Sequence, residues 1–251
     1  MTGPELSGRV AVVTGARRGI GAAIAEVLLD HGATVVTSGR DEEQLALQAE
    51  VLGKRGRVIP CAGDLGTAEG RARLLGTAGP VDILVNNAGG FTHASTTLDS
   101  TPDDWGRQIE VNLTIPFLLC QAVLPGMVER QWGRIINIGS VVASAPQLGN
   151  AIGYVAAKSG LVGFTRQLAA EVAGSGVTAN VLNPGTVKTE HLEEYFAASD
   201  TVSERTLSAA IPVGRLGRPD EIAALVPYLV SDASGFLTGS VIDINGGAIH
   251  A

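Results

Sequence analysis

The sequence is poor in several residue types, and each shortage narrows the range of functions. Only two cysteines, Cys61 and Cys120, occur in 251 residues. Two are too few for a disulfide framework, so we expect both to be buried thiols. Charged residues make up 17 % of the chain and the net charge is −7. An acidic chain is repelled by nucleic acid and by anionic membranes, so we expect neither as a partner.

Long apolar runs and targeting signals are also scarce. No apolar run approaches the ~18 residues of a membrane-spanning helix. Residues 1–5 contain no basic or apolar stretch typical of an export signal, so we expect a cytoplasmic protein. His93 and His191 show no spacing typical of metal ligands. We therefore expect them at the surface or at a pocket rim and predict no metal site.

Glycine and aliphatic residues are abundant: 33 glycines occur, and 45 % of the residues are hydrophobic. Short apolar runs predict seven strands, at 9–14, 34–38, 57–61, 83–86, 134–138, 178–182 and 241–244. Helix-like stretches lie between them, at 19–30, 41–54, 68–75, 102–129, 151–173 and 219–231. Parallel neighbours need such crossover helices. The sequence therefore predicts a single α/β domain over residues 1–251, a Rossmann-type doubly wound seven-stranded parallel sheet with helices on both faces.

The first predicted strand leads into a glycine-rich turn and then a helix. A strand before such a turn and a helix after it are the context of a dinucleotide site. The helix start offers unpaired N–H groups and a positive dipole end to a phosphate. The alternative is a mere connection between two elements. The predicted cofactor contacts at this turn are Gly15, Arg17, Arg18, Gly19, Ile20 and Gly21.

Tyr154 and Lys158 stand four residues apart in a predicted helix. Such residues share one helix face, with Cβ atoms about 5–6 Å apart. A nearby ammonium group lowers the pKa of a phenol, which makes the phenol a candidate general acid or base. An ordinary exposed helix pair is the alternative interpretation.

These two patterns occur in a fixed order with four others, namely Asn86-Asn87-Ala88-Gly89, Asn112, Ser140 and Asn183-Pro184-Gly185. Together they resemble the short-chain dehydrogenase/reductase family in its short single-domain form, over about residues 6–247. The runs at 133–140 and 245–247 are similar to those of bacterial 3-oxoacyl-[acyl-carrier-protein] reductases and their relatives.

The resemblance implies a catalytic role for four residues. Tyr154 would be the general acid in reduction and the base in oxidation, while Lys158 would lower the pKa of Tyr154 and bind the nicotinamide ribose. Ser140 would bond the substrate oxygen, unless it only caps a strand end. Asn112 would interrupt its helix and hold a water linked to Lys158, unless it only bonds its own helix.

Cofactor choice depends on the end of the second predicted strand. An acidic residue there would bind a ribose 2′-OH and select NAD. This chain has Gly39 followed by Arg40, with Arg18 in the glycine turn. Two guanidinium groups suit a 2′-phosphate, so the sequence favours NADP(H) over NAD(H). The alternative is that both arginines are solvated surface residues.

The resemblance also implies further cofactor contacts. They are Asp64 and Leu65 at the adenine, Asn86, Ala88 and Gly89 along the adenosine ribose, and Pro184, Gly185, Val187 and Thr189 toward the nicotinamide. Asp64 could instead form a turn or a helix cap, and Asn86 could tie strand ends together. Val187 and Thr189 could belong to a simple polar turn.

Substrate contacts are expected at 90–95, 149–152 and 191–212, with a mobile lid at about 186–212. Acyl-carrier-protein reductases have basic residues near the site mouth. This chain has Gln131 and Ser175 at the corresponding positions, although Arg130 is adjacent, which argues against a carrier protein. A ketone, β-ketoester, 3-oxoacyl thioester or sugar remains open as the small-molecule substrate. The resemblance further implies a homotetramer formed through the two long helices and the C-terminal segment.

The sequence thus predicts an NADP(H)-dependent oxidoreductase of a carbonyl or secondary alcohol, a ketoreductase. The main alternative is an NAD(H)-dependent alcohol, sugar or steroid dehydrogenase of the same family. A non-redox lyase of the halohydrin dehalogenase kind would replace the lysine by arginine. A cofactor-sensing protein without turnover would lose the tyrosine or the lysine. Neither replacement occurs here.

Overall fold

The computed structural model describes residues 5–91, 93–145, 149–197 and 203–249. They contain a seven-stranded parallel sheet with the order β3-β2-β1-β4-β5-β6-β7. The predicted fold class is confirmed. The strand order reverses between β1 and β4, which opens a crevice at the carboxyl ends of the strands. The strands are β1 (Val10–Thr14), β2 (Thr34–Gly39), β3 (Val58–Ala62), β4 (Ile83–Asn86), β5 (Gly133–Ile138), β6 (Val177–Pro184) and β7 (Val241–Ile244).

Several helices begin at polar caps that are visible in the sequence. Asp41, Thr67 and Thr101 each accept a hydrogen bond from the backbone N–H three residues later. Such caps satisfy N–H groups that the first turn leaves unpaired. The helices are α1 (Gly19–Asp30), α2 (Glu42–Leu52), α3 (Ala68–Ala78), α4 (Pro102–Ile109), α5 (Ile115–Glu129), α6 (Ile152–Val172), α7 (Glu190–Ala197), α8 (Glu204–Ala209), α9 (Pro219–Ala223) and α10 (Val226–Leu229).

The hydrophobic core lies on both faces of the sheet. Successive side chains of a strand point to opposite faces. Val13 accordingly packs with Leu28 of α1, while its neighbour Val12 packs in a second cluster with Leu119 of α5 and Leu168 of α6. The two layers hold the strands rigidly and leave their carboxyl ends free to carry a site.

Three helix predictions were wrong in extent. The stretch 102–129 is divided into α4 and α5 by a π-helical turn, Glu110–Thr114. The stretch 219–231 is two short helices, and Pro227, which has no N–H to donate, lies at the start of the second. Helix α3 continues to Ala78 instead of ending at residue 75.

The predicted lid at about 186–212 contains two helices, α7 and α8, that the sequence did not predict. Residues 198–202 of this segment lie outside the described part.

The stretch Pro102–Glu129 overturns the expectation that no apolar run approaches the length of a membrane span. Within the described ranges it is the one helical stretch long and apolar enough to cross a membrane, judged by length and composition alone. Residues 111–128 carry no charge. One face of α5, with Leu119, Cys120 and Met127, is buried against the sheet. The core therefore accounts for part of this apolar character.

Candidate active site

The glycine turn between β1 and α1 has a backbone that requires glycine. Gly15 and Gly19 have φ values of 64° and 58°, in the left-handed region that other residues avoid. A Cβ on Gly15 would lie 2.9 Å from Cα of Ala88, and one on Gly21 would collide with the amide of Asn87. The turn therefore packs directly against the end of β4.

The start of α1 fits a dinucleotide. No side chain caps this helix at Arg18. Its first N–H groups therefore remain available to an anion, beside the positive end of the helix dipole. The residues present at the turn would suit a pyrophosphate.

The two asparagines at the end of β4, Asn86 and Asn87, join strand ends. The hydroxyl of Thr14 accepts from the backbone N–H groups of Asn87 and Ala88 at 3.0 and 2.9 Å. The amide of Asn86 donates to Oδ1 of Asn137 at 2.8 Å. The tying role weighed for Asn86 is thus confirmed for its side chain. Ala88, in contrast, lies at the crevice edge against the glycine turn.

The two arginines proposed for a 2′-phosphate are in different environments. Arg18 forms a bidentate ion pair with Glu194 of α7, with Nη2 and Oε2 2.9 Å apart. Glu194 raises the pKa of Arg18 in turn. Arg40 is exposed and forms no ion pair within the described part of the chain. Arg17 lines a groove of about 370 Å³ with Arg18 and Glu190.

Tyr154 and Lys158 lie on one face of α6, as the spacing predicted. Nζ of Lys158 is 5.7 Å from the centroid of the Tyr154 ring. The same Nζ donates to the carbonyl oxygen of Ile138, the last residue of β5, at 2.7 Å. Both side chains thus meet the carboxyl end of the sheet.

The sequence predicted that Lys158 lowers the pKa of Tyr154. In the polypeptide without a cofactor this prediction is wrong. Burial raises the pKa of Tyr154, and only a hydrogen bond with Ser140 opposes this. Burial also lowers the pKa of Lys158 to about 8. Removal from water penalises the phenolate and the ammonium alike. The site therefore contains a phenol that holds its proton and an amine that titrates close to neutral pH.

Ser140 is held by a residue that the sequence analysis did not assign to the site. Oδ1 of Asn183 accepts from the Ser140 backbone N–H at 3.0 Å, and its Nδ2 donates to Asp243 at 3.2 Å. A side chain on Gly139 would collide with Asn183. The available signal was Asn-Pro-Gly at the end of β6, because β6 is the neighbour of β5 in the sheet. The Ser140 hydroxyl also caps the next turn through the N–H of Val142.

Asn112 lies in the π-helical turn and is fully buried. Its Oδ1 accepts from the N–H of Gly90 at 2.9 Å, and its Nδ2 donates to the carbonyl oxygens of Gly90 and Gln108 at 3.1 and 3.0 Å. Asn112 thus bonds its own helix, as one interpretation held, and also clamps the loop after β4. Gly89 must be glycine because a Cβ there would collide with Asn112.

Two other predicted cofactor residues, Asp64 and Thr189, form hydrogen bonds within their own turns. Oδ1 of Asp64 accepts from the N–H of Gly66 at 2.9 Å, so the turn alternative holds for this carboxylate. Thr189 accepts from Leu192 at 3.3 Å at the start of α7. Its methyl carbon would lie 3.1 Å from a Cβ on Gly19. Thr189 therefore lies beside the glycine turn.

The remaining predicted contacts lie near the same edge. Leu65 is buried after β3, and Val187 is buried and pairs with Gly217. Pro184 ends β6, and a Cβ on Gly185 would lie 2.9 Å from Cα of Asn245. The close approach of Asn245 leaves no room for a side chain at Gly185.

Gln131 and Ser175 are not at the mouth of this site. They precede β5 and β6 and therefore lie at the amino edge of the sheet, opposite Tyr154. Arg130 donates to the carbonyl oxygen of Val81 at 2.6 Å, also at this edge. The prediction that Gln131 and Ser175 correspond to positions near the mouth of the site was wrong. Both residues lie before a strand, whereas the site lies at the opposite, carboxyl ends of the strands. No group of three or more metal-ligating side chains comes together among the described residues.

Comparison with known proteins identifies the family. The family model described as short chain dehydrogenase matches residues 9–200. The chain belongs to this family. Its members are oxidoreductases that act on CH–OH and C=O groups with NAD(P), and this chain is such an enzyme.

Relatives extend over nearly the whole chain. It is 41 % identical over 245 residues to the 3-oxoacyl-[acyl-carrier-protein] reductase FabG of Vibrio harveyi, covering 97 % of this chain and 98 % of that protein. It is 43 % identical over 245 residues to the acetoacetyl-CoA reductase of Shinella zoogloeoides, covering 95 % and 98 %. The crystal structure of a 3-oxoacyl-[acyl-carrier protein] reductase with bound NAD from Brucella melitensis superposes with a TM-score of 0.88 at 33 % identity, covering 99 % and 94 %.

Proposed function

We propose that this enzyme is an NADP(H)-dependent reductase of 3-oxoacyl thioesters, with Tyr154 as the proton donor. The observation that carries the proposal is the group formed by half-buried Tyr154 and Ser140 with buried Lys158, beside the uncapped glycine turn. The thioester class is supported by the two near-full-length relatives named for 3-oxoacyl and acetoacetyl-CoA reduction. A ketone or β-ketoester presents the same carbonyl, and an enzyme that reduced only these would have a different substrate class from the one proposed.

Side chains of this protein can donate the proton that carbonyl reduction consumes. The bound nicotinamide would supply the hydride. A carbonyl oxygen that gains negative charge needs a proton, and a phenol in hydrogen-bond reach can give it. Ser140, positioned by Asn183, would hold that oxygen in place. Lys158, whose pKa is about 8, could return a proton to Tyr154 near neutral pH.

The direction of the pKa shift favours reduction. Burial raises the pKa of Tyr154, so the phenol is protonated across the neutral range. A protonated phenol is ready to act as an acid, whereas oxidation would need the phenolate. Steady-state assays with reduced cofactor and acetoacetyl thioester test the function. Absence of turnover with every 3-oxoacyl thioester would contradict it.

The choice of NADP(H) depends on Arg40. We expect Arg40→Asp to weaken NADPH binding by about tenfold, because a charge-assisted bond contributes ~1.5–3 kcal/mol and exposure reduces that value. NADH binding should change by much less. Fluorescence titration of both cofactors measures the two Kd values.

The matched control for Arg40 is Arg57→Asp. Arg57 is exposed as well but precedes β3, at the amino edge of the sheet. It should leave both affinities unaltered. Equal weakening of NADPH by the two variants would show only a long-range charge effect and would remove the argument for NADP(H).

A homotetramer and a cytoplasmic location also belong to the proposal. The outer face of α5 and α6 presents Phe117, which is 41 % exposed and packs edge-on against Phe164 at 5.7 Å. We expect Phe117→Asp to reduce the molar mass measured by light scattering, since a carboxylate would have to be buried in the interface. Val51→Asp, on the solvent-facing side of α2, should leave the mass unchanged. An unchanged mass for both variants would place the interface elsewhere.

A further inference from the structure

Phe91 follows the two glycines after β4 and lies against the candidate acid. The centroids of the Phe91 and Tyr154 rings are 5.1 Å apart, and the ring planes are tilted by 49°. This is the separation at which aromatic pairs attract each other. Phe91 is half-buried, so part of its ring remains accessible. No individual role for Phe91 follows from the sequence pattern.

The loop that carries Phe91 is anchored on its N-terminal side. Gly90 has a φ of 122° and is held at both its N–H and its carbonyl oxygen by the amide of Asn112. Since Asn112 is fully buried in the π-helical turn, this clamp fixes the backbone immediately before Phe91. The Phe91 ring can therefore move by side-chain rotation, but Gly90 before it is fixed.

The other side of the loop is anchored as well. The carbonyl oxygen of Phe91 is 3.3 Å from Nε2 of His191 in α7. Glu194 ties α7 to Arg18 in the glycine turn. Further along, Ile152 at the start of α6 donates to the carbonyl oxygen of Ser95 at 3.1 Å. Phe91 and Ser95 are thus braced against α7 and α6.

A braced aromatic wall beside the proton donor restricts what can reach it. The carbonyl oxygen of the substrate must lie within hydrogen-bond reach of the hydroxyl of Tyr154. Because the Phe91 and Tyr154 rings are 5.1 Å apart, a substituent of that carbonyl has room to meet the Phe91 ring. We propose that Phe91 sets the length of that substituent and makes the enzyme selective for short, methyl-ended 3-oxoacyl substrates. This inference rests on the proposed function for its substrate class, but its size argument applies to any ketone.

The test compares chain lengths. The wild-type enzyme, Phe91→Ala and Phe91→Leu are assayed with four-, six- and eight-carbon 3-oxoacyl thioesters of N-acetylcysteamine. A change of one methylene in an apolar pocket alters kcat/KM by about 10–200-fold. We expect Phe91→Ala to raise the eight-carbon to four-carbon ratio of kcat/KM by at least about tenfold, with Phe91→Leu intermediate. The matched control, Phe236→Ala, removes a fully exposed ring and should leave the ratio unchanged.

Two results would overturn the inference. One is a ratio that stays within about twofold of wild type in both Phe91 variants, and if all chain lengths lose rate equally, Phe91 supports Tyr154 without selecting substrates. The other is a ratio that falls in Phe91→Ala, because a smaller side chain should admit longer substrates. A parallel series of 2-butanone, 2-hexanone and 2-octanone separates the two proposals. An enzyme that reduces these ketones but no thioester would contradict the proposed function, while the ketone ratio would still decide the role of Phe91.

Discussion

Replacing Tyr154 by phenylalanine is expected to lower kcat for ketone reduction by roughly 10²–10⁴-fold, the usual contribution of a positioned general acid. The substitution removes only the hydroxyl and keeps the ring that contacts Phe91 at 5.1 Å. Cofactor affinity should therefore stay close to that of wild type. Stopped-flow or steady-state loss of the reduced-nicotinamide absorbance measures kcat, and fluorescence titration measures Kd.

The control for this prediction is Tyr228→Phe, which removes a phenol that is 52 % exposed on α10. It should leave kcat unaltered. If Tyr154→Phe kept more than about a tenth of wild-type kcat, a different proton donor would have to be sought. The wild-type profile gives a second check. Reduction should lose rate as the pH rises through the raised pKa of Tyr154, because the acid must be protonated.

Replacing Lys158 by methionine is expected to stabilise the cofactor-free protein at pH 7 while destroying its activity. Burial lowers the pKa of Lys158 from 10.5 to about 8. Below pH 8 the folded state must therefore hold a buried ammonium, at a cost on the order of 3 kcal/mol. Methionine removes this cost but leaves the carbonyl oxygen of Ile138 without its donor. A net gain of about 1–2 kcal/mol should remain, which raises Tm by roughly 3–6 °C.

The sign of the pH dependence follows from the same shift. Between pH 8 and 10.5 the unfolded chain binds more protons at this lysine than the folded chain does. Stability from this group therefore rises with pH across that window. The advantage of Lys158→Met should be complete at pH 7 and should shrink toward pH 10. Melting curves at both pH values measure it, and a difference in Tm that does not vary with pH would contradict the burial argument.

Lys188→Met is the matched control for this effect. Lys188 is 45 % exposed and pairs with Glu204, which raises its pKa instead of lowering it. Its replacement should give no comparable gain at pH 7. A similar gain in both variants would point to a general effect of methionine or of reduced positive charge.

Much of the site could be predicted from the sequence because its signals are local. Gly15, Gly19 and Gly21 lie within seven residues, between a β-branched strand and a helix, and Tyr154 and Lys158 are one helical turn apart. The break in the helix at Asn112 was also implied before the π-helical turn was visible. The break at Asn112 came from the family resemblance, whereas short-range spacing alone determines which groups of the glycine turn and of the Tyr154–Lys158 pair face the crevice.

The misses concern partners that are distant in the chain. Arg18 meets Glu194, which lies 176 positions away, and Asn183 holds Ser140 from a neighbouring strand. Gln131 and Ser175 were assigned to the wrong edge of the sheet. The local sequence around each of these residues does not encode which strand or helix will pack beside it.

The sequence by itself determined the parallel sheet, the glycine turn and the pairing of Tyr154 with Lys158, since backbone conformation and helical periodicity are properties of short segments. Only the tertiary structure decided the direction of the pKa shifts of that pair, the partner of Arg18 and the wall formed by Phe91. These depend on burial and on contacts between distant segments, and both arise only when the sheet and its helices close into one core.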